Sequence, residues 1–160
     1  MIRIGHGYDV HRLKMGRECV LCGVTVPYDC GPDGHSDADV PLHALMDAML
    51  GAAALGDIGR HFPDNDERYR GISSVKLLTE VVRLLAENGY VVSNADITII
   101  AQRPKLAPFI PQMCAAVANT VGIPVGDINV KATTEEGLGF TGDGSGIAAH
   151  AVVLIEKANT

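Results

Sequence analysis

Asp9 and His11 stand two apart in the stretch Tyr8-Asp9-Val10-His11, which alternates like a strand, so both side chains leave one face. His43 lies in the run Val40 to Leu55, which is otherwise helix-forming and apolar; its only other polar side chain is Asp47. His43 and Asp47 are four apart and share a helix face, with Asp39 one turn before and Gly51 one turn after. A helix apolar on its remaining faces is expected to be buried, and burying unpaired polar groups costs ~1–3 kcal/mol each. That line of residues therefore faces a polar site. One Asp and two His with an open fourth position make the donor set of a catalytic zinc. The plainer alternative is a strand-end pair solvated in a loop. Asp47, one turn on, is placed to back the His43 imidazole.

Other groups offer weaker signals. His35-Ser36 precedes the same helix, near an N-terminus that favours anions, although a plain capping segment reads the same way. Lys131-Ala132-Thr133-Thr134-Glu135-Glu136 ends a strand with hydroxyls and carboxylates suited to phosphate oxygens and a hard divalent cation, or simply to water. The Gly-rich loop at 137–146 lacks Gly-Lys-Ser/Thr and is not a Walker A loop. His6, His61 and His150 are isolated in the sequence and read as structural. Cys19 and Cys22 form a C-x-x-C without a second copy, in what reads as a short strand. With Cys30 and Cys114 they are taken as reduced structural thiols.

Periodicity supplies the elements that position these groups. Strands are expected at 2–11, 19–26, 91–101, 127–134 and 147–156, with a turn-rich loop at 27–36. The central helix starts at Val40, with Asp39 as N-cap and Pro41 in its first turn. A second helix begins after Ser73 or Ser74 and ends at Asn88-Gly89, and a third covers 108–121. The expected fold class is α/β: an α+β sandwich, one domain over residues 1–160, a four- to five-stranded sheet with three main helices on one face.

With 47% hydrophobic residues, 4% aromatic and no Trp, the core must be Ala, Val, Ile and Leu. A net charge of −6 argues against nucleic acid or an anionic membrane as the main partner. No apolar run reaches the ~20 residues that span a bilayer. The N-terminus enters a strand pattern without a signal or transit peptide, so a cytoplasmic location is expected.

Six stretches in order and at unbroken spacing carry a family resemblance: Gly5 to His11, His35 to Leu45, Gly51 to Gly59, Phe62 to Asp66, Ala101 to Lys105 and Val130 to Phe140. The chain resembles the 2-C-methyl-D-erythritol 2,4-cyclodiphosphate synthase family over essentially its whole length. The resemblance implies a homotrimer with active sites at the subunit interfaces. It implies a phosphorus–oxygen lyase that converts 4-diphosphocytidyl-2-C-methyl-D-erythritol 2-phosphate to the 2,4-cyclodiphosphate with release of CMP, in the non-mevalonate isoprenoid pathway. The attacking group is already an anionic phosphate, so no general base is required, and none stands out in the sequence. The alternatives are a zinc-dependent phosphate-ester hydrolase, for which the sequence nominates no base, and a non-catalytic metal-binding trimer.

Carried over residue by residue, the resemblance makes Asp9, His11 and His43 the Zn²⁺ ligands and Glu136 the ligand of a second divalent cation, Mg²⁺ or Mn²⁺. His35 and Thr134 match the transition-state stabilisers. Ser36, Asp57, Ile58 and Gly59 match contacts to the methylerythritol phosphate, with Phe62, Pro63, Asp64, Asn65 and Asp66 in the loop beside them. Ala101, Gln102, Arg103, Pro104, Lys105, Leu106, Ala107 and Thr133 match a cytidine diphosphate pocket contributed by the neighbouring subunit. Glu135, Glu136 and Phe140 complete the expected substrate-binding set, with Glu135, where relatives often carry Thr, expected to point away from the phosphates. Asp143 and His150 depart from relatives that carry Arg and Glu there and bind isoprenoid diphosphates on the trimer axis. No such binding is expected here.

Overall fold

Two glycines set the closest approach in the fold. On β1 (Ile2–Met15), Gly5 and Gly7 face α1 (Val40–Ala52), and a Cβ on either would fall 1.8 Å from a helix carbonyl oxygen, of Ala48 or Ala44. The helix can therefore lie directly on the strand backbone, with Asp9 and His11 continuing the same face of β1.

The computed structural model describes residues 1–158. After β1 come β2 (Cys19–Leu21), β3 (Val24–Val26) and β4 (Cys30–Pro32). Beyond α1 the chain forms α2 (Ile58–His61), α3 (Ser74–Glu87), β5 (Tyr90–Ile100), α4 (Ile110–Val121), β6 (Ile128–Thr133), α5 (Gly139–Gly142) and β7 (Gly146–Lys157). The main sheet has five strands in the order β4-β1-β7-β5-β6, and β2 and β3 pair separately. All neighbours in the main sheet are antiparallel except β5 and β6, whose parallel pairing requires the crossover through α4. The result is a mixed α/β single domain with its three main helices on one face of the sheet, as the periodicity predicts.

Some boundaries differ from expectation. β1 runs on to Met15, because its end pairs with β4, a strand inside the stretch read as a loop. The single strand expected at 19–26 is a hairpin. Cys22 and Gly23 both take positive φ (51° and 73°), the geometry of a tight two-residue turn. α1 ends at Ala52 rather than Leu55, and Ala54 beyond it is left-handed with φ 59°.

The core holds the Ala, Val, Ile and Leu that the composition implies, and beyond that expectation Met46, Met49, Met113, Cys19 and Cys22. Eleven of the 13 residues of α1 are buried, and the largest fully buried side chains are all Leu, Met or Ile. Asp39 is the N-cap, as expected: its carboxylate accepts from Leu42 N at 3.3 Å. It also accepts from Cys22 N at 2.8 Å and Gly23 N at 2.7 Å, which ties the hairpin to the start of the helix. Complete burial raises its pKa to about 7 against the pull of those three donors. No helix among the described residues is long and apolar enough to cross a membrane.

The sheet face opposite the helices is left uncovered by the described residues. Ile2, Ile4, Tyr8 and Val10 of β1 and Val152 of β7 are exposed there. Asp96 of β5 and Lys131 of β6 form an ion pair on the same face.

Candidate metal centre and active site

Asp9, His11 and His43 each bring one ligand atom to a common point, all within 4.8 Å of one another. Asp9 Oδ2 lies 3.2 Å from His11 Nε2 and 3.1 Å from His43 Nδ1. The opposite ring nitrogens decide what these two atoms are. Nδ1 of His11 lies 2.7 Å from the carbonyl oxygen of Asp33, which can only accept, so Nδ1 carries the proton and Nε2 holds a lone pair. Ser74 Oγ donates to Asp37, so at 3.1 Å from His43 Nε2 it is left to accept, and Nδ1 of that ring holds its lone pair.

Two imidazole lone pairs and a carboxylate oxygen thus converge, an arrangement that repels itself unless a cation sits among them. A shared proton can take that place, and it sets the direction in which each group shifts. Burial alone would raise Asp9, but hydrogen bonds with His11 and His43 hold its carboxyl below the usual range. His11 is raised by its hydrogen bond to Asp9, against the effect of burial. The donor set fits a metal ion with nitrogen and oxygen ligands and an open position.

Asp47 does not back the His43 imidazole as the helix spacing suggests. Its carboxylate accepts from Ile58 N at 2.8 Å and anchors the start of α2. Burial raises its pKa. The backing comes from Ser74 and, at 3.3 Å, from Ser36 Oγ. Asp37, which accepts from both the backbone N–H and the hydroxyl of Ser74, was not singled out from the sequence. Its only signal was its place in Ser36-Asp37-Ala38-Asp39, where one acid caps α1 and the other is free for a second helix.

The cluster opens into a cavity of about 530 Å³. His35, Ser36, Ile58 and Gly59 line it with Phe62, Pro63, Asp64 and Asn65, so most of the expected sugar-phosphate contacts come together there. His35 Nε2 donates to the Asp66 carbonyl at 3.0 Å, leaving Nδ1 as the free ring nitrogen. Tyr69 and Leu77 also line this cavity and were missed, because neither is polar enough to stand out beside its helical or loop neighbours. Asp57 and Asp66 are engaged otherwise. Asp57 caps α2 through Arg60 N at 3.0 Å, and Asp66 is held below the usual carboxylate range by Arg68.

A second cavity of about 240 Å³ shares no lining residue with the first. Ala101, Gln102, Pro104, Lys105, Leu106 and Ala107 form one side of it and Thr133 and Thr134 the other. Arg103 turns instead to a neighbouring recess beside Tyr28. Glu135 accepts from Thr141 Oγ1 and is tied to the Gly-rich loop. Glu136, at φ 56°, is exposed, and its carboxylate accepts no hydrogen bond among the described residues. Phe140 lies behind His11, in a small recess with Arg12 and Ser145. Asp143, also exposed, accepts from Ser145 N at 2.8 Å within its own turn.

Comparison with known proteins places this geometry. A protein from Trichlorobacter lovleyi named 2-C-methyl-D-erythritol 2,4-cyclodiphosphate synthase is 61% identical over 154 residues, 96% of this chain and 98% of its own. One of the same name from Clostridium perfringens is 59% identical over 98% of this chain and all of its own length. Among solved structures, IspF from Plasmodium falciparum in complex with CDP superposes with a TM-score of 0.86 at 32% identity, covering 99% of this chain and 97% of that one. The bifunctional IspDF from Campylobacter jejuni gives a TM-score of 0.96 at 40% identity, covering 99% of this chain, which spans only 43% of that longer protein. The family model that matches residues 2–156 agrees with these relatives, and the chain belongs to the YgbB family.

Proposed function

We propose that the chain is a 2-C-methyl-D-erythritol 2,4-cyclodiphosphate synthase, a phosphorus–oxygen lyase of isoprenoid precursor biosynthesis. Its substrate is 4-diphosphocytidyl-2-C-methyl-D-erythritol 2-phosphate and its products are the cyclic diphosphate and CMP. The observation that carries this reading is the pairing of the Asp9–His11–His43 cluster and its cavity with relatives of that name at about 60% identity over nearly the whole chain.

The chemistry requires two mutually repelling phosphates to be held in line, with charge cancelled around them. Asp9, His11 and His43 would hold Zn²⁺, which when bound supplies a Lewis acid at a phosphate oxygen. Glu136, with a free carboxylate, would hold Mg²⁺ or Mn²⁺. His35 orients the phosphate through its free ring nitrogen, and Ser36 adds a hydroxyl. Ile58, Gly59 and Phe62 shape the wall against the methylerythritol carbons and exclude water. Thr134 and Lys105 present a hydroxyl and an ammonium to the nucleotide phosphates, beside a pocket floored by Ala101, Leu106 and Thr133. No side chain has to remove a proton, since the nucleophile is already anionic.

The two cavities lie apart on one chain, which supports a homotrimer in which one subunit's zinc cavity meets its neighbour's nucleotide pocket. The uncovered apolar sheet face supports association as well. A cytoplasmic location is supported by four cysteines that are all free thiols.

Phosphorus NMR of the purified protein with this substrate and Mg²⁺, with and without a zinc chelator, tests the reading. CMP and a cyclic diphosphate are expected, and both should be lost on chelation. Inorganic phosphate would point to a hydrolase. No turnover at full zinc occupancy would leave a metal-binding trimer.

A further inference from the structure

The carbonyls of Pro32 to Ser36 lie where the chain leaves β4 for α1, and they are taken alternately from two sides. Pro32, Gly34 and Ser36 give theirs to one side chain, Arg17. Its Nε donates to the Pro32 carbonyl at 3.2 Å, and its Nη2 donates to those of Gly34 at 3.4 Å and Ser36 at 3.1 Å. Nη1 stands 3.9 Å from the Asp33 carboxylate. The two carbonyls in between go the other way. Asp33 accepts from Nδ1 of His11 at 2.7 Å, and His35 accepts from Gly71 N at 2.8 Å. Arg17 follows Gly16, whose φ of 82° turns the chain at the end of β1.

Between Pro32 and Val40 this segment belongs to no helix or strand, yet it carries much of the site. Asp33 fixes which nitrogen of His11 keeps its proton. Gly34 lies against the same ring, where a Cβ would fall 2.9 Å from Cε1. His35 and Ser36 line the cavity, and Ser36 Oγ reaches Nε2 of His43 at 3.3 Å. An irregular segment keeps one conformation only where its backbone polar groups find partners. Arg17 is not among the residues lining the cavity, so it acts through this segment rather than on a bound phosphate. A guanidinium suits that task, because its hydrogen bonds are charge-assisted and its planar fork presents donors in fixed directions.

We propose that Arg17 is a positioning residue of the site. Its guanidinium holds residues 32–36 in the arrangement that orients His11 through Asp33 and presents His35 and Ser36 to the substrate. The roles of His35 and Ser36 rest on the synthase reading, whereas the contact with His11 stands without it. Lysine keeps the charge but has one nitrogen, which cannot take the places of both Nε and Nη2. Without the fork three carbonyls turn to water, and the two between them lose their direction.

The test compares the unmodified protein with Arg17→Lys and Arg17→Ala. In protein loaded with Zn²⁺ and Mg²⁺, kcat for CMP release is expected to fall toward the ~100-fold that a ~1 Å misplacement costs. KM should change little, because the displaced groups act in the transition state. Lysine should recover little of the loss. Long-range nitrogen–proton NMR of the metal-free protein at alkaline pH gives a second readout. His11 should be protonated on Nδ1 alone in the unmodified protein and should populate both tautomers in each variant. A lower melting temperature with kcat and tautomer unchanged would make Arg17 a structural clamp and overturn the proposal, as would full activity with lysine. If the unmodified protein released no CMP, the synthase reading would fall, and the NMR would still decide the role of Arg17. One tautomer in all three proteins would then overturn it. Should Arg17→Ala not fold, Arg17→Lys, which keeps the stem and the charge, carries both readouts.

Discussion

Ser74 Oγ stands 3.1 Å from Nε2 of His43 and gives its own proton to Asp37, so a serine at the start of one helix sets which nitrogen of a histidine on another is free. Outer contacts of this kind orient a ligand, and removing one typically costs about 10–100-fold in metal affinity. Ser74→Ala is therefore expected to weaken zinc binding by about that factor with the helical circular dichroism intact. Competition against a chromogenic chelator measures it. Unchanged affinity would show that Ser36 alone, at 3.3 Å, fixes the ring.

The metal-free cluster should also leave a mark on pH dependence. The folded protein lowers Asp9 below its ordinary 3.8, so its contribution is present above 3.8 and lost as pH falls through the lowered value. It raises His11 above 6.5, so that contribution is present below 6.5 and lost as pH rises through the raised value. The stability of the metal-free protein from this pair is thus greatest between about 3.8 and 6.5. Zinc needs His11 neutral, so its apparent affinity should fall as pH drops through the raised His11 value, with protons released on binding. Calorimetry in buffers of different ionisation enthalpy counts those protons. A count of zero near neutral pH would contradict the raised His11.

Lys105 contributes the ammonium of the second cavity. A charged hydrogen bond to phosphate is worth about 1.5–3 kcal/mol, so Lys105→Ala is expected to weaken CMP binding about tenfold or more while leaving zinc content unchanged. Equal CMP affinities would remove the nucleotide from this cavity.

Gly7 has no room for a side chain, since its Cβ would sit 1.8 Å from Ala44 O and the obstacle is helix backbone. Gly7→Ala must push α1 off β1, at a cost of about 3 kcal/mol. Because His43 rides on α1 and Asp9 on β1, zinc affinity should fall along with the melting temperature. Loss of stability with full zinc affinity would mean that the helix shifts without parting the ligands.

Local periodicity was enough to single out Asp9, His11 and His43, which the structure brings together. A strand repeats every two residues and a helix every 3.6, so the common face of Asp9 and His11, and the buried face carrying His43, could be read directly. The same reasoning found the three helices, the cap at Asp39 and the main strands. It failed where the decision belonged to another segment. Asp47 shares a helix face with His43, but a loop 11 residues on brings Ile58 N to its carboxylate first. Ser74 and Asp37 meet across 37 residues, and His6 and His150 across 144. β4 hid in a turn-rich stretch because a three-residue strand is defined by its partner rather than by its own pattern. Residue order determined which side chains share a face. Only packing and strand register decided which faces meet, because those contacts join segments that no local period connects.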